Sequence, residues 1–353
     1  MNYIGSKKSL LSFLNESINA VVGKTAESFC DIFAGTGAVG TYFKRKGYRI
    51  IANDIQYYAY VLNRHYVGNH KPLPFNGLAD ELSLSKISTE ERTAAVCVFL
   101  EQLEGVSGFI YKNYTLGGSV GTDFERQYFS DENAKKCDAI RIKIDEWKNG
   151  GKITEDEYFF LLATLLEAID KTANTASVYG AFLKKLKNSA KAALTMQPVE
   201  LILNDKEHSI YNQDANRLIR KIKADILYMD PPYNERQYCA NYHLLETIAK
   251  YDNPVISGKT GLRNYKEQKS QYCSKSSVKS AFQDIVENSN VKYIFLSYNN
   301  EGLLSLNDIR EIFSQKGEYG CFKQEYNRFK ADANRQYQAD KTTEYLHYCI
   351  CNR

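Results

Sequence analysis

Residues 28–54 read SFCDIFAGTGAVGTYFKRKGYRIIAND. Ser28 to Phe33 has the apolar run of a short buried strand, and Ala34 to Gly37 is a glycine-rich turn. Ala38 to Lys46 then has helical spacing, with Gly47 as its C-terminal stop. Arg49 to Ala52 forms a second strand that ends at Asn53-Asp54, and a helix continues from Tyr57 to His65. Strand, turn, helix, strand is a βαβ unit, and such units build open parallel sheets. The glycines fall at Gly35, Gly37 and Gly40, the G-x-G-x-x-G spacing that lets a ligand approach the backbone at a helix N-terminus. Asp54 follows Gly35 by 19 positions, at the end of the next strand. A carboxylate there accepts hydrogen bonds from both hydroxyls of a ribose. This segment points to an adenosine-bearing cofactor, either a nicotinamide dinucleotide or S-adenosylmethionine.

The same rhythm returns after a long interruption. From about residue 70 to 208 strand signals are few, and the expected helices are Ala134–Trp147, Glu155–Asp170 and a basic one at Ala181–Ala193. A strand ends near Ser209–Asn212, a helix follows at Ala215–Ile222, and Asp225–Met229 is an apolar strand. A helix at Asn241–Lys250 and strands at Val291–Ser297 and Glu344–Cys351 complete the pattern. Lys7–Val22 supplies a leading amphipathic helix. The expected architecture is α/β: a doubly wound sheet made by residues 1–69 and 209–353, with a mostly helical inserted domain at 70–208.

Asp230-Pro231-Pro232-Tyr233 directly follows the strand Asp225–Met229, so it opens onto the same sheet edge as the glycine turn. Two prolines stiffen the chain and remove two backbone donors. What remains is an acceptor-rich corner, the Asp230 carboxylate and the Pro231 carbonyl, with Tyr233 as a flat face for a base. An amino group has protons to donate and suits such a corner. An adenine amine is a poor nucleophile because its lone pair is delocalised into the ring. Two out-of-plane acceptors favour a tetrahedral nitrogen and stabilise the charge that grows on it. This selects methyl transfer from S-adenosylmethionine over hydride transfer, which would leave the corner idle. Asp214, sixteen positions before Asp230, is either a helix N-cap or an acceptor for the amine of the cofactor's adenine.

The chain has 353 residues, 43% hydrophobic and 25% charged, as expected of an ordinary globular protein. No signal-like or membrane-length apolar run is present, which points to a soluble cytoplasmic protein. Net charge is +4, but residues 70–208 carry 17 Lys and Arg against 21 Asp and Glu, so any field that attracts a polyanion comes from the two ends. Lys184, Lys185, Lys187 and Lys191 on the expected basic helix, and the loop Lys259–Lys279, are candidate phosphate contacts. The eight cysteines contain no C-x-x-C pair. His347, Cys349 and Cys351 share one face of a strand, but no fourth ligand is evident, so no metal is assigned.

Tyr3-Ile4-Gly5-Ser6-Lys7, then Asp31-Ile32-Phe33-Ala34-Gly35-Thr36-Gly37, then the insertion and Asp230-Pro231-Pro232-Tyr233, resemble in kind and order the Dam-like DNA adenine methyltransferases of the alpha group. Asn241–Ile248 and Leu296–Asn300 resemble the members that partner restriction enzymes. The resemblance implies a methyltransferase fold and S-adenosylmethionine as cofactor. It puts Tyr3 and Lys7 in the cofactor pocket, Phe33, Gly35 and Gly37 under its methionine part, and Asp54 on the ribose. Asp230, Pro231, Pro232 and Tyr233 then form the catalytic corner that receives an adenine flipped out of double-stranded DNA. The insertion falls where that family recognises its target. A monomer acting beside a restriction endonuclease of the same site is the expected setting. Three other readings compete: methylation of a cytosine exocyclic amine or of RNA, a nicotinamide-dependent dehydrogenase, and a DNA-binding protein without catalysis.

Overall fold

The computed structural model describes residues 4–23, 25–300, 302–327 and 341–352. The chain divides into two compact units, Ile4–Asn63 with Asp205–Tyr238 and Lys266–Arg353, and Arg64–Asn204 with Cys239–Tyr265.

The first unit is a seven-stranded sheet. Its strands are β1 (Ser28–Asp31), β2 (Arg49–Asn53), β3 (Ser209–Tyr211), β4 (Ile226–Met229), β5 (Tyr293–Asn299), β6 (Gly317–Asn327) and β7 (Lys341–Cys351). They lie in the order β3-β2-β1-β4-β5-β7-β6. The first five are mutually parallel, with Cys30 facing Ile51 on one side and Leu227 on the other. β7 is antiparallel to both of its neighbours and separates β5 from β6. An all-parallel dinucleotide sheet has no such strand.

β1 and β4 are buried along their whole length, which explains their unbroken apolar sequence. Alternate side chains serve opposite faces. Cys30, Leu227, Met229, Ile294 and Leu296 share one core with Phe282 and Ile285 of the helix Val278–Asn288 and with Ile309 and Phe313 of the helix Leu306–Lys316. Phe29 turns the other way, stacked on Phe43 at 4.2 Å and on Tyr228 at 5.8 Å.

Asp225 ties together the strand starts at the far edge of the sheet. It accepts the N–H groups of Glu27 (3.0 Å) and Ser28 (3.1 Å) and the Ser28 hydroxyl (2.8 Å), and pairs with Lys292 at 2.8 Å. Burial opposes its charge, but Lys292 and these donors outweigh that and hold its pKa well below the usual carboxylate range. A depressed pKa stabilises the fold above the unfolded carboxylate value of about 3.9 and the gain fades as pH falls below it. Asp225→Ala is therefore expected to lose about 2–3 kcal/mol in urea unfolding at pH 7. The gap to the parent protein should narrow steadily toward pH 2.

The second unit is helical, built on Thr89–Gln102, Asp131–Asn149, Glu155–Lys171 and His243–Lys250. Capping boxes at Ser88/Glu91 and Thr154/Glu157 start two of these helices. Its composition departs from the expected insertion, because Cys239–Tyr265 belongs with it. Buried polar bonds explain why. Arg141, almost fully enclosed, donates to the carbonyls of Ile248 and Ala249 at 3.1 Å each. Asp138 accepts the Tyr251 hydroxyl at 2.7 Å, and Tyr114 donates to the Gly261 carbonyl at 2.7 Å. No periodicity in the sequence announces such pairings.

The expected basic helix Ala181–Ala193 is not formed; only Asn188–Lys191 is helical. Side-chain amides hold this segment instead. Asn174 exchanges bonds with Leu183 and accepts Lys187 N–H, and Asn133 accepts Leu194 N–H at 2.8 Å. Lys184, Lys185, Lys187 and Lys191 consequently do not share one helix face, and Lys187 spends its ammonium on the Thr175 carbonyl at 2.7 Å. No helix among the described residues is long and apolar enough to cross a membrane.

Candidate active site

The strand ends of β1, β2 and β4 converge on one edge of the sheet. The glycine turn there is drawn in by two asparagines. Asn53, at the end of β2, donates to the carbonyls of Ile32 (3.1 Å) and Gln213 (3.0 Å) and accepts Gln213 N–H at 3.0 Å. One side chain thus joins the exits of β1, β2 and β3. Asn63 donates to the Gly35 carbonyl at 2.9 Å from below. Gly35 and Gly37 both have positive φ, 51° and 81°, which favours glycine. A Cβ on Gly37 would lie 2.8 Å from Asn63 Oδ1.

Asp54 is fixed against this turn. Its Oδ2 accepts Gly35 N–H at 2.9 Å and its Oδ1 accepts Gln56 N–H at 2.8 Å. A carboxylate has about four acceptor positions, so this anchoring is compatible with a further ligand. Phe33 packs edge-on against Tyr272 at 4.9 Å. Asp214 is the N-cap of the helix Ala215–Leu218, its Oδ1 accepting Arg217 N–H at 3.0 Å. Burial, then the charge of Asp214, raises the Tyr272 hydroxyl pKa, and that hydroxyl donates to Asn216 at 3.0 Å and to the Ala281 carbonyl at 3.1 Å. Tyr3 lies outside the described residues.

Asp230 emerges from β4 with its carboxylate 18% exposed. Lys7, placed by the turn that leads into Lys8–Leu10, contacts Asp230 Oδ1 at 3.0 Å and Glu344 Oε1 of β7 at 3.0 Å. Ser297 of β5 donates its hydroxyl to the same Glu344 oxygen. Lys7 is 5% exposed and Glu344 1%. Burial opposes the Lys7 charge, but Asp230 and Glu344 outweigh it and raise its pKa well above the ordinary lysine value. Burial raises Asp230 to about 6, with Lys7 pulling it down and Glu344 pushing it up. The Tyr233 ring lies 5.9 Å from the Lys7 ammonium and edge-on to Tyr298 at 6.3 Å, while Pro231 is buried and Pro232 partly so.

Asp31, at the end of β1, completes the cluster. It is 1% exposed, and its Oδ1 has no hydrogen-bond partner among the described residues. Burial, then the nearby charges of Asp230 and Asp54, raise its pKa well above the usual carboxylate value. The glycine turn and the Asp-Pro-Pro-Tyr corner therefore flank one group of acids. The sequence reading gave no role to Asp31, Asn53, Asn63 or Glu344. Acids inside apolar strand runs were the available signal for Asp31 and Glu344. At the other end of β7, His347 bonds the Tyr319 hydroxyl at 3.0 Å and Cys349 faces the Phe313 carbonyl.

An open α/β sheet with a ribose-type acid, a glycine turn and an acceptor corner at one edge is the layout of a methyltransferase. Residues 3–312 match the family described as D12 class N6 adenine-specific DNA methyltransferase, and the chain belongs to that family. It is an adenine-specific DNA methyltransferase, which removes the dehydrogenase and non-catalytic readings. It is 51% identical to the type II methyltransferase M.NlaIII of Neisseria lactamica over 98% of both chains. It is 40% identical to the type II methyltransferase M.FokI of Planomicrobium okeanokoites and 37% to the modification methylase StsI of Streptococcus sanguinis. Those two matches cover 99% and 94% of this chain but only 52% and 49% of the relatives.

Proposed function

We propose that the chain methylates the N6 amine of an adenine extruded from double-stranded DNA, with S-adenosylmethionine as donor. The observation that carries this reading is the Asp230 corner, a partly buried carboxylate that faces the sheet edge beside Pro231, Pro232 and Tyr233.

The residues fit the donor. Asp54 stands where a ribose acid belongs, and the buried, unpartnered oxygen of Asp31 suits a cationic methionine ammonium. Phe33, Gly35, Gly37 and Lys7 line the same edge, and Tyr3 is assigned there by resemblance. Asp214 takes the cofactor's adenine amine with the oxygen not used in its cap. When bound, S-adenosylmethionine supplies a methyl carbon on a sulfonium whose C–S bond breaks as the pair goes to sulfur. Asp230 and the Pro231 carbonyl draw the amine out of the ring plane, so its lone pair forms the new C–N bond. The surplus proton on nitrogen passes to Asp230 and then to water. Tyr233 stacks on the base, whose extrusion costs about a few kcal/mol.

The helical unit reads the target sequence. Relatives named as a type II methyltransferase and a modification methylase support a DNA-modifying role, and on this reading the protein works as a monomer in the cytoplasm and protects DNA beside an endonuclease of the same site. The test is expression in a host free of DNA methylation, followed by sequencing that separates N6-methyladenine from N4-methylcytosine. N6-methyladenine at one short motif is expected. Modified cytosine, or no modified base from a folded protein that binds the donor, overturns the reading.

A further inference from the structure

Lys7 is one cation between two carboxylates, at 3.0 Å from each. Methyl transfer as read above uses Asp230 and leaves Glu344 without a task. Yet Glu344 is the more deeply buried of the two and is held by Ser297. A buried carboxylate that serves no purpose is costly.

We propose that Glu344 is a positioning residue for methyl transfer: it shares Lys7, so that the ammonium does not saturate Asp230 and Asp230 keeps its strength as an acceptor for the base amine. This rests on the role given to Asp230 above. The chemistry follows from where charge develops. As the C–N bond forms, positive charge grows on the amine nitrogen. Asp230 stabilises that charge; an ammonium fully committed to Asp230 would offset it. With Oδ1 facing Lys7, Oδ2 is the oxygen offered to the amine. Glu344 draws Lys7 toward β7 and weakens its hold on Oδ1. The groups around Asp230 are Lys7 from the N-terminal turn, Asp31 from β1, Tyr228 from β4, Tyr233 from the corner and Glu344 from β7. Glu344 is the like charge that acts most strongly on Asp230, and it raises the pKa of that carboxyl.

The experiment is single-turnover methylation across pH with Glu344→Gln and Glu344→Asp. Glu344→Gln is expected to slow transfer about tenfold or more, leaving donor and DNA affinity within about twofold. Its acid limb should move to lower pH, because a like charge beside Asp230 is gone. Glu344→Asp withdraws the carboxylate and should shift both quantities the same way but less, which keeps the test decisive if the glutamine variant does not fold. A slower rate with the acid limb unmoved in both variants indicates a structural role and overturns the proposal, as does normal behaviour in both. Asp230→Asn run in parallel separates the two readings. If that variant retains turnover, the Asp230 assignment fails first; if it is inactive while the Glu344 variants are normal, only the present proposal falls.

Discussion

Asp230→Asn transfers methyl groups about 10²–10³-fold more slowly than the parent enzyme. Asparagine keeps the shape of the corner and one acceptor oxygen, so the amine still finds a place. What it loses is the negative charge that opposes the charge developing on nitrogen, together with the acceptor for the departing proton. Lys7 stays compensated by Glu344 at 3.0 Å, so the variant does not strand a buried cation and should fold. Donor affinity should stay within about threefold, because the proposed donor contacts are Asp54 and Asp31 rather than Asp230. The parent enzyme carries a matching signature. Asp230 must be ionised to act, and burial raises its pKa to about 6, so the single-turnover rate should fall as pH drops through that value. Near-parental turnover by the asparagine variant would sink the assignment of Asp230 as the acceptor.

Gly37→Ala has the second large effect, expected in binding as well as stability. At φ 81° an alanine is strained, at a cost of about 1–3 kcal/mol. Its Cβ would also meet Asn63 Oδ1 at 2.8 Å. Asn63 is poorly placed to yield, because its amide is bonded to the carbonyls of Gly35 and Ala59 at 2.9 Å each. The turn must therefore shift, and the Gly35 N–H that fixes Asp54 shifts with it. Affinity for S-adenosylmethionine should fall about tenfold or more, the equivalent of some 1.4 kcal/mol. Asn63→Ala in the same chain removes the collision but also the bonds to Gly35 and Ala59, so the double variant should lose less stability than the sum of the two single changes. A Gly37→Ala protein within about 0.5 kcal/mol of its parent in urea unfolding, with unchanged donor affinity, contradicts this account.

The sequence disclosed the parts of the fold that depend on local signals. β1, β2 and β4 are buried parallel strands that read as short apolar runs, and each lies within a residue or two of its expected place. The glycine turn and the Asp-Pro-Pro-Tyr corner are contiguous motifs, and they lie at the same edge of the sheet because a parallel sheet gathers its strand exits there. β6 escaped notice. It is an edge strand with the sequence GEYGCFKQEYN, whose Lys, Glu and Gln mask any apolar run. The helix expected at Ala181–Ala193 failed for the opposite reason: good local helix formers lost to amide bonds from Asn174, just upstream, and from Asn133, distant in sequence. Lys7 was placed near the cofactor by resemblance, but its bridge from Asp230 to Glu344 joins three separate regions of the chain. No spacing rule reaches across such distances.

The antiparallel slot of β7 has a consequence for how the enzyme comes into being. A strand added at a sheet edge leaves earlier pairings undisturbed, but β7 lies between β5 and β6 and pairs with both along its length. During synthesis the glycine turn and Asp230 emerge well before residue 344. Until the late strand wedges itself into place, the ammonium of Lys7 has only one carboxylate to neutralise it. If Glu344 tunes Asp230 as proposed, methyl transfer is expected to be slow until β7 pairs with β5 and brings that carboxylate to Lys7.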